Sequence, residues 1–453
     1  MSRVLVVGGG PAGGSAAVWL ARRGHDVAVV ERRVFPRSKG CGDVLTPRAV
    51  RQLHELGLDL DLVRDLRAVR DEHAPLGHDR PAPGADDAGG ASRAGTLHGH
   101  RLVGVRLVRG DRSRELAWPS QGTTDLASGP AGGVEAGVVR RRDLDRAVLA
   151  LASRCGAEVL AGHEAIEPVV ERGFVRGALV RSPDGVTRSI DADHVVVADG
   201  ANSPFGRALG TFRTRRWPYA AAIRSYWTSP RSDDDRLEIV LDLTDRSGQA
   251  LPGYGWVAPV GDGTVNIGVG LLSTARDFKT TNVAHLLEAF AVDLADRWGI
   301  DPSAKAGVTR VGRVPMGGSV QPTAGPTFLV VGDAAGVASP FTGAGIDAAY
   351  ETGRMAADVL HEALSGAGPT ALQRYPRLVA ETYAEQYKLA RLWGRLLGRP
   401  AAMRRVSGAA VRSRTVGDTM LRIMSGALRH DEFGAPETVA RLATRVLQVA
   451  PDA

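Results

Sequence analysis

Apolar and polar residues alternate along this chain in two distinguishable rhythms. RVLVV (3–7) is apolar after its first residue, as a strand buried on both faces would be. Over 13–23 the apolar positions Ala16, Ala17 and Leu20 share one face, which predicts a helix. DVAVVE (26–31) is a second buried strand, and it ends in an acid. Together these make a βαβ unit. Further runs predict helices over 46–58, with Pro47 near the first turn, and over 139–152. Strands are predicted at 157–162, 173–182 and 193–200, the last running into a tight turn. From 217 to 272 the pattern switches to period two, the mark of several short strands. The segment 327–336 is again a strand followed by a glycine turn, and a long helix follows from Ile346 to Leu364. After residue 370 the chain is helical and rich in Arg, Ala and Leu. Two stretches, 72–100 and 121–137, have no period and are dense in Gly, Pro, Asp and Ala, as surface excursions are.

This order predicts an α/β (α+β) fold. A Rossmann-like cofactor domain is assembled from 1–70, 138–215 and 305–365. Residues 71–137 are an insertion contributing to the substrate domain, 216–304 are a β-rich substrate domain, and 366–453 are a C-terminal helical region. The length of 453 residues suits two connected domains or one with large insertions.

Composition narrows the classes. The net charge of +7 fits either an anionic partner or a general bias toward Arg. No block of five Lys/Arg residues occurs, which argues against nucleic acid as a partner. The two cysteines, Cys41 and Cys155, form no CxxC pair, so a cysteine metal site or disulfide scaffold is not expected, and a reducing cytoplasm is. No apolar run reaches the ~18 residues of a membrane span, which leaves a soluble protein or one peripheral to the membrane.

The chemistry begins at VLVVGGGPAGG. Gly8, Gly10 and Gly13 satisfy G-x-G-x-x-G directly after a predicted strand, with Pro11 and Ala12 between them. Gly8 permits the turn, Gly10 lets backbone approach a diphosphate, and Gly13 lets helix and strand pack closely. The helix N-terminus offers free N–H groups to the phosphates. Glu31, at the end of the second strand, can accept from a ribose hydroxyl pair, which favours FAD or NAD over NADP. Arg32 is placed to pack on the adenosine or to stand in solvent. Two later turns put an Asp beside Gly at a strand end, Asp199–Gly200 and Gly332–Asp333. A strand-end carboxylate can receive a ribityl hydroxyl while glycine lets the backbone approach. Downstream, Pro340, Thr342, Gly343 and Gly345 form a loop before the helix at Ile346, whose N–H groups suit an anionic flavin edge.

The run GxGPAG…E, VRRRDLD, DGANS and GDAAG…PFTGAGI resembles the FAD motifs of the p-hydroxybenzoate-hydroxylase-like flavoproteins, in order over about 1–365. The resemblance implies FAD at Gly8, Gly10, Gly13, Glu31, Gly332 and Asp333. It implies a motif arginine at Arg141 or its neighbour Arg142, and flavin and nicotinamide contact at Asp199 and Gly200. Ala344 replaces the acid usual between the two glycines. Two stretches are similar to the geranylgeranyl reductase branch. These are KGCGDVLTPRAV (39–50), a Cys-Gly loop with Cys41 and Gly42, and GYGWVAPVGDG, a Y-x-W-x-x-P element with Tyr254, Trp256 and Pro259. Ala258 replaces the usual Phe and widens the pocket. Tyr254 and Trp256 share a strand face, where they either line a pocket or fill a core.

That branch implies an FAD-dependent reductase saturating C=C bonds of a prenyl chain, with NAD(P)H or ferredoxin as electron donor. An unpolarised C=C needs a proton supplied with the hydride. Cys41, Tyr254 and a bound water are all candidate sources. Arg404, Arg405, Arg412, Arg414 and Arg422 offer charge to lipid headgroups, or a solvated helix face. The other branch implied is an FAD- and NAD(P)H-dependent aromatic or polyketide monooxygenase.

Overall fold

Five parallel strands form the layer behind the glycine turn, in the order 328–330, 194–197, 3–7, 26–31, 158–161. The computed structural model describes residues 2–67, 96–119 and 136–425, apart from 215, 216, 218, 245–247, 249, 250, 276, 277, 398 and 399. Val4, Leu5 and Val6 of the central strand are fully buried, which is why they read as a continuous apolar run. Helix Pro11–Arg22 starts with proline in its first turn, two residues earlier than its apolar spacing suggests, because Pro11 already has helical φ. It packs against helix Ile346–Glu362. The contact is close at Gly353, where a Cβ would lie 2.3 Å from the Ala12 carbonyl oxygen. The layer is thus a discontinuous Rossmann-like fold.

A second sheet has seven strands, in the order 310–315, 219–228, 264–272, 253–259, 236–240, 104–109, 112–117. One face is covered by helix Val283–Trp298 through Leu287, Phe290, Leu294 and Trp298. The opposite face looks toward the cofactor layer. Strands 104–109 and 112–117 lie in this sheet, within the segment 71–137 read as an insertion contributing to the substrate domain. Strand 310–315 does too, although 305–365 reads as cofactor domain. Gly312 and the charges in RVGRVP hide its alternation. The excursion predicted to 100 ends earlier, because Leu97–Leu102 is a strand beside 60–63 and 136–138. The rest of both excursions lies largely outside the described residues. Helices Pro400–Arg412 and Arg414–Met424 close over strands 104–109 and 112–117, with Arg114 Nε donating to the Val411 carbonyl at 2.7 Å. No helix among the described residues is long and apolar enough to cross a membrane.

Candidate functional site

A cavity of about 1090 Å³ runs between the carboxyl ends of the parallel strands and the inner face of the seven-stranded sheet. Its first wall is the glycine turn. Gly8 has φ +107°, and a Cβ there would meet the Ala198 carbonyl oxygen at 2.3 Å. Gly13 lies against Gly8, with 1.8 Å between a hypothetical Cβ and the Gly8 oxygen, so its role is close packing and it does not line the cavity. Gly10 differs: a Cβ there would find only Arg37 Nη2, at 3.6 Å. Gly10, Pro11 and Ala12 therefore present open backbone to the cavity. Glu31 is buried, and its carboxylate accepts from Gly9 N at 2.9 Å and Arg33 N at 3.0 Å. It braces the turn and still lines the cavity, as Arg32 does. Arg37, missed in the sequence, stands 3.1 Å from Asp145 and 3.7 Å from Glu31.

Of the two possible motif arginines, Arg141 is the buried one. Its guanidinium makes a bidentate pair with Asp145 at 2.9 and 3.0 Å, one helical turn away. Arg142 is half-exposed and pairs with Asp143.

The two strand-end carboxylates behave differently. Asp199 does line the cavity, but it accepts from Ser203 Oγ at 2.6 Å and Phe205 N at 2.9 Å, starting the short turn of helix Pro204–Ala208. Burial pushes its carboxyl above the usual range, and those two donors oppose the shift. Each of its oxygens accepts one of these bonds and keeps further acceptor capacity. Gly200 keeps its backbone toward the cavity. Asp333 is not committed in this way. It lines the cavity, 3.4 Å from where a Gly345 Cβ would be, and takes an ion pair from Lys39 Nζ at 3.3 Å. Gly332 is tight against Ala12 and Pro340 against Gly317, so neither lines the cavity. Gly343, Ala344, Gly345 and Ile346 do.

The Cys-Gly loop rests on a buried network that the sequence did not reveal. Asp43 is fully buried at φ +62°. Its carboxylate accepts from Tyr226 Oη, from Asn266 Nδ2 at 2.8 Å and from Arg141 N at 3.2 Å. Burial raises its carboxyl above the ordinary range, and nearby Arg224 works against this. Arg224 in turn holds the Lys39 and Cys41 carbonyls at 2.6 and 3.1 Å. These partners come from strands nearly two hundred residues away, so no local spacing signals them. Cys41 and Gly42 are thereby fixed on the cavity wall. Burial raises the Cys41 thiol, while the Arg141 guanidinium pulls it down.

Tyr254 and Trp256 both line the cavity, with ring centroids 6.1 Å apart. Tyr254 Oη donates to the Thr342 carbonyl, and burial raises the phenol above its usual range. Trp256 Nε1 donates to Asn266 Oδ1 at 3.2 Å. Pro259, at the end of the same strand, is buried and away from the cavity. Between these aromatics and strand 310–315 runs one cross-strand row of small side chains, Gly312–Ala222–Gly270, ending on Tyr254. On the other side of Trp256 the wall turns apolar. Leu107, Ile239 and Leu241 face Met403, Val416 and Met420 of the C-terminal helices. Methionine walls adapt to irregular apolar ligands. Among the described residues no group of three His, Cys, Asp or Glu is placed to hold a metal.

The donor set fits FAD. An open-backbone glycine turn at a helix N-terminus, a braced acid at the end of the second strand, and a carboxylate paired with Lys39 beside a second helix N-terminus face one cavity. That combination in a discontinuous Rossmann-like fold defines a dinucleotide-dependent oxidoreductase. The family model described as "FAD binding domain" matches residues 1–383, and the chain belongs to this family of p-hydroxybenzoate-hydroxylase-like flavoproteins. It is an FAD-dependent oxidoreductase. It is 35% identical over 429 residues to a menaquinone reductase of Mycolicibacterium smegmatis, covering 95% of this chain and 92% of that one. It is 27% identical over 385 residues to a digeranylgeranylglycerophospholipid reductase of Methanosarcina acetivorans, with 84% and 80% covered. Among solved structures, a geranylgeranyl bacteriochlorophyll reductase-like protein of Thermoplasma acidophilum superposes with a TM-score of 0.72 at 22% identity, covering 98% and 99%. A flavin-dependent brominase superposes at 0.65 and 17%, covering 99% of each chain.

Proposed function

We propose that this chain saturates a C=C bond in the prenyl chain of a lipid, with a prenylated quinone as the substrate class that the 35% identical menaquinone reductase favours. The observation that carries the reading is the shape of the cavity: a row of small side chains continuing into an apolar arm walled by Leu107, Ile239 and Met420. An extended chain fits such an arm. Bound FAD supplies the hydride. Gly8, Gly10, Pro11, Ala12 and Glu31 hold its AMP end, and Asp333 with 343–346 holds its flavin end. Arg141 acts through its pair with Asp145 and its backbone bond to Asp43, which fix the wall beside the flavin. Tyr254 holds the flavin loop through the Thr342 carbonyl, which commits its proton. Cys41, a protonated thiol on the cavity wall, is the proton source that the geometry favours.

The test is anaerobic. Dithionite-reduced holoenzyme is mixed with menaquinone, and the lipid is weighed by mass spectrometry. After reoxidation of the quinone ring, a gain of two hydrogens on the side chain is expected, and the lipid should add nothing to the O₂ uptake of the reduced holoenzyme in air. Substrate-dependent O₂ uptake with a hydroxylated product would instead establish the monooxygenase reading. Cys41→Ala should keep its FAD and lose about a hundredfold in saturation rate, the scale of a lost general acid.

A further inference from the structure

The mouth of the cavity carries cations that the cofactor motifs do not use. Several cavity-lining arginines are already spent. Arg141 and Arg37 are held by Asp145, and Arg224 by backbone carbonyls. Lys39 and Arg310 are different. Lys39 Nζ bridges to Asp333 at 3.3 Å and lies 4.0 Å from where a Gly200 Cβ would be, between two of the cofactor turns. Arg310 sits near it on the edge strand, its Cβ 3.4 Å from where a Gly40 Cβ would stand. Its guanidinium meets the uncharged Ser38 hydroxyl, 3.4 Å from Nε, and has no ion pair among the described residues. Among the described residues the carboxylate paired with Lys39 is Asp333, which the reading above assigns to the cofactor. With Asp333 engaged by FAD, Lys39 would join Arg310 as a cation without an ion-pair partner.

We infer that Lys39 and Arg310 form a diphosphate-binding mouth for a second ligand that approaches the loaded cofactor. A forked guanidinium beside an ammonium group on one rim suits a group with several anionic oxygens. Two ligands share that chemistry: a nicotinamide dinucleotide delivering electrons, and a prenyl diphosphate delivering the chain. The inference needs only a bound FAD, so it survives if saturation of a quinone chain is not found.

The test uses FAD-loaded holoenzyme, whose own cofactor fills the glycine turn and removes that site from the titration. Binding of inorganic pyrophosphate is followed by calorimetry. A single site is expected, weakening with salt, and weakened about tenfold or more in both Lys39→Ala and Arg310→Ala, the loss typical of one charge-assisted hydrogen bond. Arg310→Lys should recover part of it. Arg310→Ala keeps the test alive if Lys39→Ala fails to retain FAD. Two further arms identify the source. Competition by pyrophosphate against flavin reduction by NADH or NADPH, seen as bleaching of the flavin absorbance, assigns the mouth to the donor. Competition against binding of geranylgeranyl diphosphate, with reduction unaffected, assigns it to the substrate. Absence of pyrophosphate binding, equal binding by the variants, or competition in neither arm overturns the proposal.

Discussion

Single residues carry two jobs at several points of this cavity, and the pairs of jobs can be separated. Glu31 accepts from Gly9 N and Arg33 N while facing the ribose position. Glu31→Ala removes a charged acceptor, worth roughly 1.5–3 kcal/mol, or about ten- to a hundredfold in affinity. The variant should leave gel filtration largely without flavin, and retention of full yellow colour would contradict the ribose role. Asp43 makes a second case. Its raised carboxyl pKa means that its contribution to stability is complete below the unfolded carboxyl range, about pH 4, and is lost as pH rises through the folded value. Asp43→Asn has no such loss. The melting temperature of the variant should therefore gain on that of the parent as pH rises above about 4. A difference that stays flat across this range would mean that Asp43 titrates alike in both states. Glu31 was legible in the sequence because its partners sit in the same βαβ unit. Asp43 was not, because Tyr226 and Asn266 reach it from another sheet.

At the scale of elements, legibility followed burial. Parallel strands buried on both faces announce themselves as apolar runs, and 3–7, 26–31 and 194–197 were plain for that reason. Edge strands do not. Strand 310–315 is open on one side and rich in charge, so its place in the seven-stranded sheet emerged only from its pairing with 219–224. The contact between helices Pro11–Arg22 and Ile346–Glu362 was also hidden, since a glycine within a helix looks like a defect until its neighbour is known. Gly353 has no room for a side chain: Ala12 O and Ser15 Cβ lie 2.3 and 2.9 Å from where a Cβ would be. Gly353→Leu must push the two helices apart, an overpacking that costs about 1–3 kcal/mol. Lower thermal stability together with weaker FAD retention is expected, because Ala12 belongs to the glycine turn. Unchanged stability by scanning calorimetry would show that the helices yield freely.

At the scale of the whole molecule, the cavity belongs to no one segment. The glycine turn, the Cys-Gly loop, the aromatic strand, the flavin loop and the C-terminal helices each supply one wall. The motifs predicted that the cofactor segments would meet. They did not predict that the apolar arm would be closed by helices 400–424, whose sequence reads only as basic and amphipathic. The arginines of that region, Arg404, Arg405, Arg412, Arg414 and Arg422, decorate helices whose inner side forms the arm.

The strand order of the parallel sheet has a consequence for how the protein is made. Strand 3–7 is made before the other strands of the layer and ends in its middle, yet one of its flanking partners, 194–197, is translated almost two hundred residues later. The next strand outward, 328–330, follows more than a hundred residues after that. During synthesis the central strand therefore keeps an unpaired hydrogen-bonding edge until its partner 194–197 has been made. The flavin loop at 339–345 emerges later still, so the nascent chain cannot build the complete FAD cradle until about three quarters of it has been translated. Supply of FAD is thus a demand of late maturation, and shortage of the cofactor in the producing cell exposes the protein at its most aggregation-prone stage.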